Sequence, residues 1–107
     1  MFKSRYEDFK EFKSSNNYYV IAPTETKDLQ KEGDNLNHCV ASYIKRVIDA
    51  SCLIYFLRKN KEESLITFEV RNNAIVQVKG SHNRRPNEEE RKALEEFAKD
   101  REMEVRF

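Results

Sequence analysis

The run Leu65-Ile66-Thr67-Phe68-Glu69-Val70-Arg71-Asn72-Asn73-Ala74-Ile75-Val76-Gln77-Val78-Lys79-Gly80 decides how this chain is read. Two alternating stretches flank an Asn-Asn pair, the signature of an antiparallel hairpin. Its loop length settles which side chains share a face. A two-residue loop would put Glu69 opposite Val76 and Phe68 opposite Gln77, so both faces would mix polar and apolar groups. A three-residue loop over Asn72 to Ala74 pairs Glu69 with Gln77 and Thr67 with Lys79. It leaves Ile66, Phe68, Val70, Val76 and Val78 together on the other face. A slip of one residue flips every side chain, so burial selects the three-residue loop. Asparagine tolerates the left-handed conformation that loop needs. Thr67, Glu69, Gln77 and Lys79 are then expected on one sheet face, either solvated or forming a cleft against a helix.

Outward from the hairpin, Cys52 to Leu57 is a continuous apolar run, the pattern of a strand covered on both faces. Before it, Leu36, Cys39, Val40, Tyr43, Ile44 and Val47 recur at helical spacing. After it, Asn87 with Glu90 three positions on reads as a capping box. It opens a helix whose buried side is Leu94, Phe97 and Ala98. Phe2, Tyr6, Phe9 and Phe12 make an aromatic stripe on a short helix ending near Ser14 to Asn17. Tyr18 to Ile21 is a brief strand stopped by Pro23. Thr24 caps a short helix that runs to about Lys31 and stops at Gly33. Val105 and Phe107 suit a short last strand. The expected fold class is α+β: a small antiparallel sheet of three to five strands packed with three to four helices. One domain spans 1–107, with 1–17 an amphipathic helix and linker and 18–107 the core.

Charge narrows the function classes. Twenty basic and nineteen acidic residues give a net charge of +1, which disfavours a DNA mimic and a sequence-independent cationic binder. No apolar run approaches the roughly 18 residues of a membrane span, and two cysteines are too few for a disulfide framework. No membrane partner is expected, and the cytoplasm is the expected compartment.

Two segments carry candidate chemistry. His38 lies about 160° from the centre of the apolar stripe of its helix. In the first turn it stays neutral and available as a base, with an exposed polar residue as the plain alternative. Cys39 reads as a small core residue. His38, Cys39, Cys52 and His82 lack the spacing of a metal site, and no phosphate-binding or dinucleotide motif occurs, so neither metal nor cofactor is expected. The stretch Lys79-Gly80-Ser81-His82-Asn83-Arg84-Arg85-Pro86-Asn87 is the one local basic concentration. It leads into a helix N-terminus, a geometry able to hold an anion. Glu88, Glu89 and Glu90 oppose that by repulsion, and a plain surface loop is the alternative.

The string Glu32-Gly33-Asp34-Asn35-Leu36-Asn37-His38-Cys39-Val40-Ala41-Ser42-Tyr43 resembles the leading motif of the PcfJ-like family. The blocks that follow in order resemble it too: Leu53-Ile54 with Arg58, Thr67-Phe68-Glu69, and Gln77-Val78-Lys79-Gly80 with Asn83. Ala41 departs from the glycine commoner at that position, and His82 is outside the pattern. The resemblance implies a protein of conjugative plasmids or bacteriophages in a bacterial host, with the domain nearly alone. It adds Tyr43, Arg58 and Asn83 to the candidate contacts Lys79, Arg84 and Arg85, and brings His38, Thr67, Glu69 and Gln77 together as a polar cleft. Three functions fit. The first is a mobile-element accessory protein that binds nucleic acid or a nucleoprotein complex. The second is a phage inhibitor of a host defence protein, anti-CRISPR in kind, anchored by the front aromatics. The third is a small metal-independent hydrolase or nuclease using His38 as base and Glu69 as acid or orienter.

Overall fold

A computed structural model describes residues 11–23, 27–28, 30–31, 53–60, 63, 65–81 and 84–107. Six strands form one sheet in strict chain order: β1 (Phe12–Lys13), β2 (Tyr19–Ile21), β3 (Leu53–Arg58), β4 (Ile66–Arg71), β5 (Ala74–Gly80) and β6 (Glu104–Val105). The sheet curls into a half-barrel. Neighbours are antiparallel except β5 and β6, which run parallel because helix α1 (Glu88–Asp100) carries the chain back between them.

The α+β expectation of three to four helices on a small sheet is overturned. Among the described residues the sheet dominates, and α1 is the one helix with defined ends. Helical backbone recurs at 27–28 and 30–31, where a helix is expected. The expected helix over 36–47 lies outside the described residues, as do Phe2, Tyr6 and Phe9. Phe12 stands in a strand instead of a helix, so the front segment does not end as an amphipathic helix and linker. The physical reason is tertiary. Phe12 meets the Phe97 ring edge-on at 5.4 Å, and Ser14 to Asn17 form the tight turn that returns the chain into β2. Asn17 takes the left-handed conformation there, with φ 67. Phe12 is therefore core packing and not a free anchor for a partner.

The decisive hairpin reconciles both loop readings. Asn72 and Asn73 have φ of 52 and 59, as a two-residue type I′ turn requires, so the three-residue loop is corrected. Arg71 pairs with Ala74 and Val70 with Ile75. The register then shifts, leaving Val76 as the extra residue of a β-bulge. Beyond the bulge Glu69 pairs with Gln77 and Thr67 with Lys79, the register that burial selects. The bulge, not the loop, absorbs the odd residue.

Helix α1 packs on the first face of the sheet. Asn87 Oδ1 accepts from the Glu90 N–H and Glu90 Oε1 accepts from the Asn87 N–H, completing the expected capping box. Phe97, fully buried, meets Tyr55 and Phe68 edge-on at 5.8 and 5.7 Å, and Leu94 and Ala98 are buried beside it. Burial of the Tyr55 phenol raises its pKa above the ordinary 10.0. A second tie comes from the front turn: Ser15 donates through both its N–H and its hydroxyl to the Glu96 carboxylate, each at 2.8 Å.

Candidate functional site

Register assigns every strand residue to a face. Phe12, Val20, Leu53, Tyr55, Leu57, Ile66, Phe68, Val70 and Val78 fall on the first, under α1, and none is charged. The second face carries Lys13, Tyr19, Phe56, Arg58, Thr67, Glu69, Arg71, Gln77 and Lys79, together with the apolar Ile21, Ile54 and Ala74. Across β1 to β5 that is four cations against one carboxylate.

The centre of this second face is not the solvated side of a sheet. Glu69 and Thr67 are 1% and 2% exposed, and Ile54 and Phe56 on adjoining positions are buried as well. The Thr67 hydroxyl finds no hydrogen-bond partner among the described residues. Arg71, on the same strand and face, brings its Nε within 3.8 Å of Glu69 Oε2 while half of its own side chain stays exposed. Gln77 is exposed and Lys79 half-buried. A carboxylate is thus sunk at the sheet centre with cations at its rim. Burying a charge is costly unless it is paired, and Arg71 is the cation whose contact with it is seen here.

Toward the β1 edge Lys13 is exposed, while Tyr19 and Arg58 are half-buried. Lys13 pairs with Tyr19 across one ladder, and Tyr19 pairs with Arg58 across the next. Lys13 Nζ lies 5.6 Å from the Tyr19 ring centroid and Arg58 Cζ 5.3 Å from that of Phe56, both in the range of cation–π attraction.

Of the residues singled out from sequence, the structure brings Thr67, Glu69, Gln77, Lys79 and Arg58 onto this one face. His38, Tyr43 and Asn83 lie outside the described residues, as do Cys39, Cys52 and His82. Arg84 is turned to structural work. Its Nη1 and Nη2 each donate to Glu90 at 2.8 Å, and Nη1 also reaches the Arg85 carbonyl at 3.1 Å. Gly80 exists for this contact, since an added Cβ would come within 2.8 Å of Arg84 Cγ. Burial pushes the Glu90 carboxyl up, but the Arg84 and Asn87 hydrogen bonds outweigh it and hold the group below its usual range. The hydrogen bond to Glu90 in turn raises the Arg84 guanidinium. Arg85 is exposed. Lys13, Tyr19 and Arg71 are missing from the sequence-derived set. The turn residues Ser14 to Asn17 were the signal for the first two, because a turn there makes Lys13 a strand neighbour of Tyr19. No cluster of metal-ligating side chains occurs among the described residues.

The fold and this face define a small sheet domain, helix-covered on one side and cationic on the other, with a sunken carboxylate. The chain belongs to the PcfJ-like protein family, which it matches over residues 2–95. It is also similar to the uncharacterized protein Lin1253/Lin1744 of Listeria innocua serovar 6a, at 37% identity over 102 residues. That alignment covers 91% of this chain and 22% of the relative, so the chain spans roughly a fifth of the relative's length. No solved structure matches the chain.

Proposed function

We propose that this PcfJ-like domain binds nucleic acid through the second face of its sheet, as an accessory protein of a phage or plasmid. One observation carries the reading: a chain of net charge +1 sends its strand charges to one face of the sheet, where Lys13, Arg58, Arg71 and Lys79 outnumber the carboxylates Glu69 and Glu104, and none to the other. Local concentration of cations, not net charge, is what a phosphate backbone meets. Arg71 and Lys79 reach solvent at the rim, and Arg85 extends the same basic character into the loop that follows. Fluorescence anisotropy with labelled DNA and RNA strands tests this. Affinity is expected to fall steeply between about 50 and 200 mM salt, since each phosphate contact releases counterions. The double change Arg71→Glu with Lys79→Glu is expected to weaken binding by at least about tenfold. A flat response to both nucleic acids at low salt overturns the proposal.

A second reading, a metal-independent hydrolase or nuclease with Glu69 as acid and His38 as base, is favoured by the burial of Glu69 beside Thr67 on a central strand. Cleavage of labelled strands by the native chain and its loss in Glu69→Gln would support it; intact strands after prolonged incubation would end it.

A further inference from the structure

We infer that two copies of this chain pair edge to edge through β6, joining their sheets across a two-fold axis at Val105. β6 ends the strand order at one edge of the sheet, and Glu104, Val105 and Arg106 are all exposed, so no other described segment lies along its outer side. Its inner side is already engaged. The Glu104 N–H donates to the Asn73 carbonyl at 3.0 Å and the Arg106 N–H to that of Ile75 at 2.8 Å. In a parallel ladder the residue between two such donors turns its own N–H and C=O the other way. Val105 therefore presents one donor and one acceptor to the open edge, the template on which another strand pairs.

The residues of this edge say what that strand is. An antiparallel pair centred on Val105 sets it against the partner's Val105, each N–H donating to the other's C=O. The same axis sets Glu104 against the partner's Arg106 and Arg106 against the partner's Glu104, a self-complementary contact of the kind two-fold dimers use. Glu104 and Arg106 already share one face, with Arg106 Nη2 2.7 Å from Glu104 Oε2 and both side chains largely exposed. Pairing closes the two ion pairs into a square in which every neighbour carries the opposite sign. Unlike charges directly opposed stabilise a strand pair, and like charges weaken it. On the helix side the pairing covers Val105, the one large apolar side chain that is exposed among the described residues. Parallel pairing in register would instead oppose Glu104 to Glu104 and Arg106 to Arg106, so the charges select the antiparallel sense. The axis stands perpendicular to the sheet, which keeps the second faces of both copies on one side of a continuous sheet. The contact is short, below the roughly 1,200 Å² of a stable interface, so the dimer is a weak one that forms at high protein concentration.

Sedimentation velocity of the whole chain from about 10 µM to about 1 mM tests this, the range in which so small an interface associates. The native chain is expected to move from monomer toward dimer mass across it. Val105→Pro removes the N–H that faces the open edge, where a strand tolerates proline, and is expected to weaken association by at least about tenfold. Glu104→Arg and Arg106→Glu each oppose like charges, and each alone is expected to lose dimer similarly. Mixed together the two variants are expected to recover it as a heterodimer, because an all-cationic edge meets an all-anionic one. Thermal unfolding shows whether each variant is folded. Should Val105→Pro fail to fold, the mixing experiment decides, since both of its substitutions are at exposed positions. A monomer at every concentration overturns the inference, as does association that survives Val105→Pro or a mixture that yields no heterodimer.

Discussion

Strands β3 and β4 send Tyr55, Leu57, Phe68 and Val70 to one side of the sheet and Arg58, Thr67, Glu69 and Arg71 to the other. The first set is packed under α1 by rings that meet edge to face. On the second side the same strands put a sunken carboxylate among cations. Because side chains alternate along a strand, one short segment supplies both the packing that holds the domain and the groups that the proposed reading assigns to a ligand. The lesson is a division of labour at single-residue resolution. Changes on the first face should read out in stability, and changes at the rim of the second in binding.

The largest effect tests the first half. Phe97→Ala removes the ring that joins Phe12, Tyr55 and Phe68, and is expected to cost about 3–5 kcal/mol in denaturant unfolding. A cost below about 1 kcal/mol would show that the helix-covered face is not what holds the sheet.

Next in size is the clasp between helix and loop. Glu90→Ala loses the capping box and leaves Arg84 without its carboxylate, for an expected cost of about 2 kcal/mol. The folded carboxyl titrates below its ordinary value of 4.5, so its contribution is complete above that pH and vanishes as pH falls through the lower, folded value. Acid unfolding of the native chain should therefore steepen below about 4.5, and that steepening should shrink in Glu90→Ala. Identical acid profiles for the two proteins would remove the clasp from the stability account.

A smaller change, of opposite sign, probes the centre of the second face. Thr67→Val replaces a buried hydroxyl that lacks a partner among the described residues, and is expected to raise stability by about 1 kcal/mol. A loss of similar size would mean that the hydroxyl is engaged in the folded protein. Smallest of all in stability is Lys79→Ala at the rim, expected to stay within about 0.5 kcal/mol. The same variant should lower affinity for nucleic acid at low salt and make the salt dependence shallower by about one phosphate contact. A large stability loss there would break the division between the faces.

What was legible in the sequence was local. Asn87 and Glu90 announce the helix start because both halves of the capping box lie within one turn. Alternation from Ile66 to Lys79 announces the polar and apolar faces because each depends only on period two. The turn length was not legible. Parity arithmetic demands an odd residue, but nothing in the string says whether the loop or a bulge at Val76 holds it. Phe12 misled for a different reason. Its spacing from Phe9 and Tyr6 fits a helix, and only its contact with Phe97, across most of the chain, makes it a strand residue. Arg84 shows the limit of charge counting. In the string it joins a basic loop, whereas in the structure Gly80 clears the space for it to lie against and Glu90 holds it there.

The strict order of the strands has a kinetic consequence. From β1 to β5 each strand pairs with its neighbour in sequence, so assembly can proceed as a zipper without threading one segment between two others. The cheapest closure is the Asn72–Asn73 turn, which joins β4 to β5 at once, and β3 adds through the short connection that follows Arg58. The connection between Ile21 and Leu53 is the longest in the sheet, so the β1–β2 hairpin arrives with the largest loss of chain entropy. Lys13 and Tyr19 ride on that late hairpin. This edge of the second face is thus completed only when the last antiparallel ladder closes, and it is the part of the sheet whose pairing should open first.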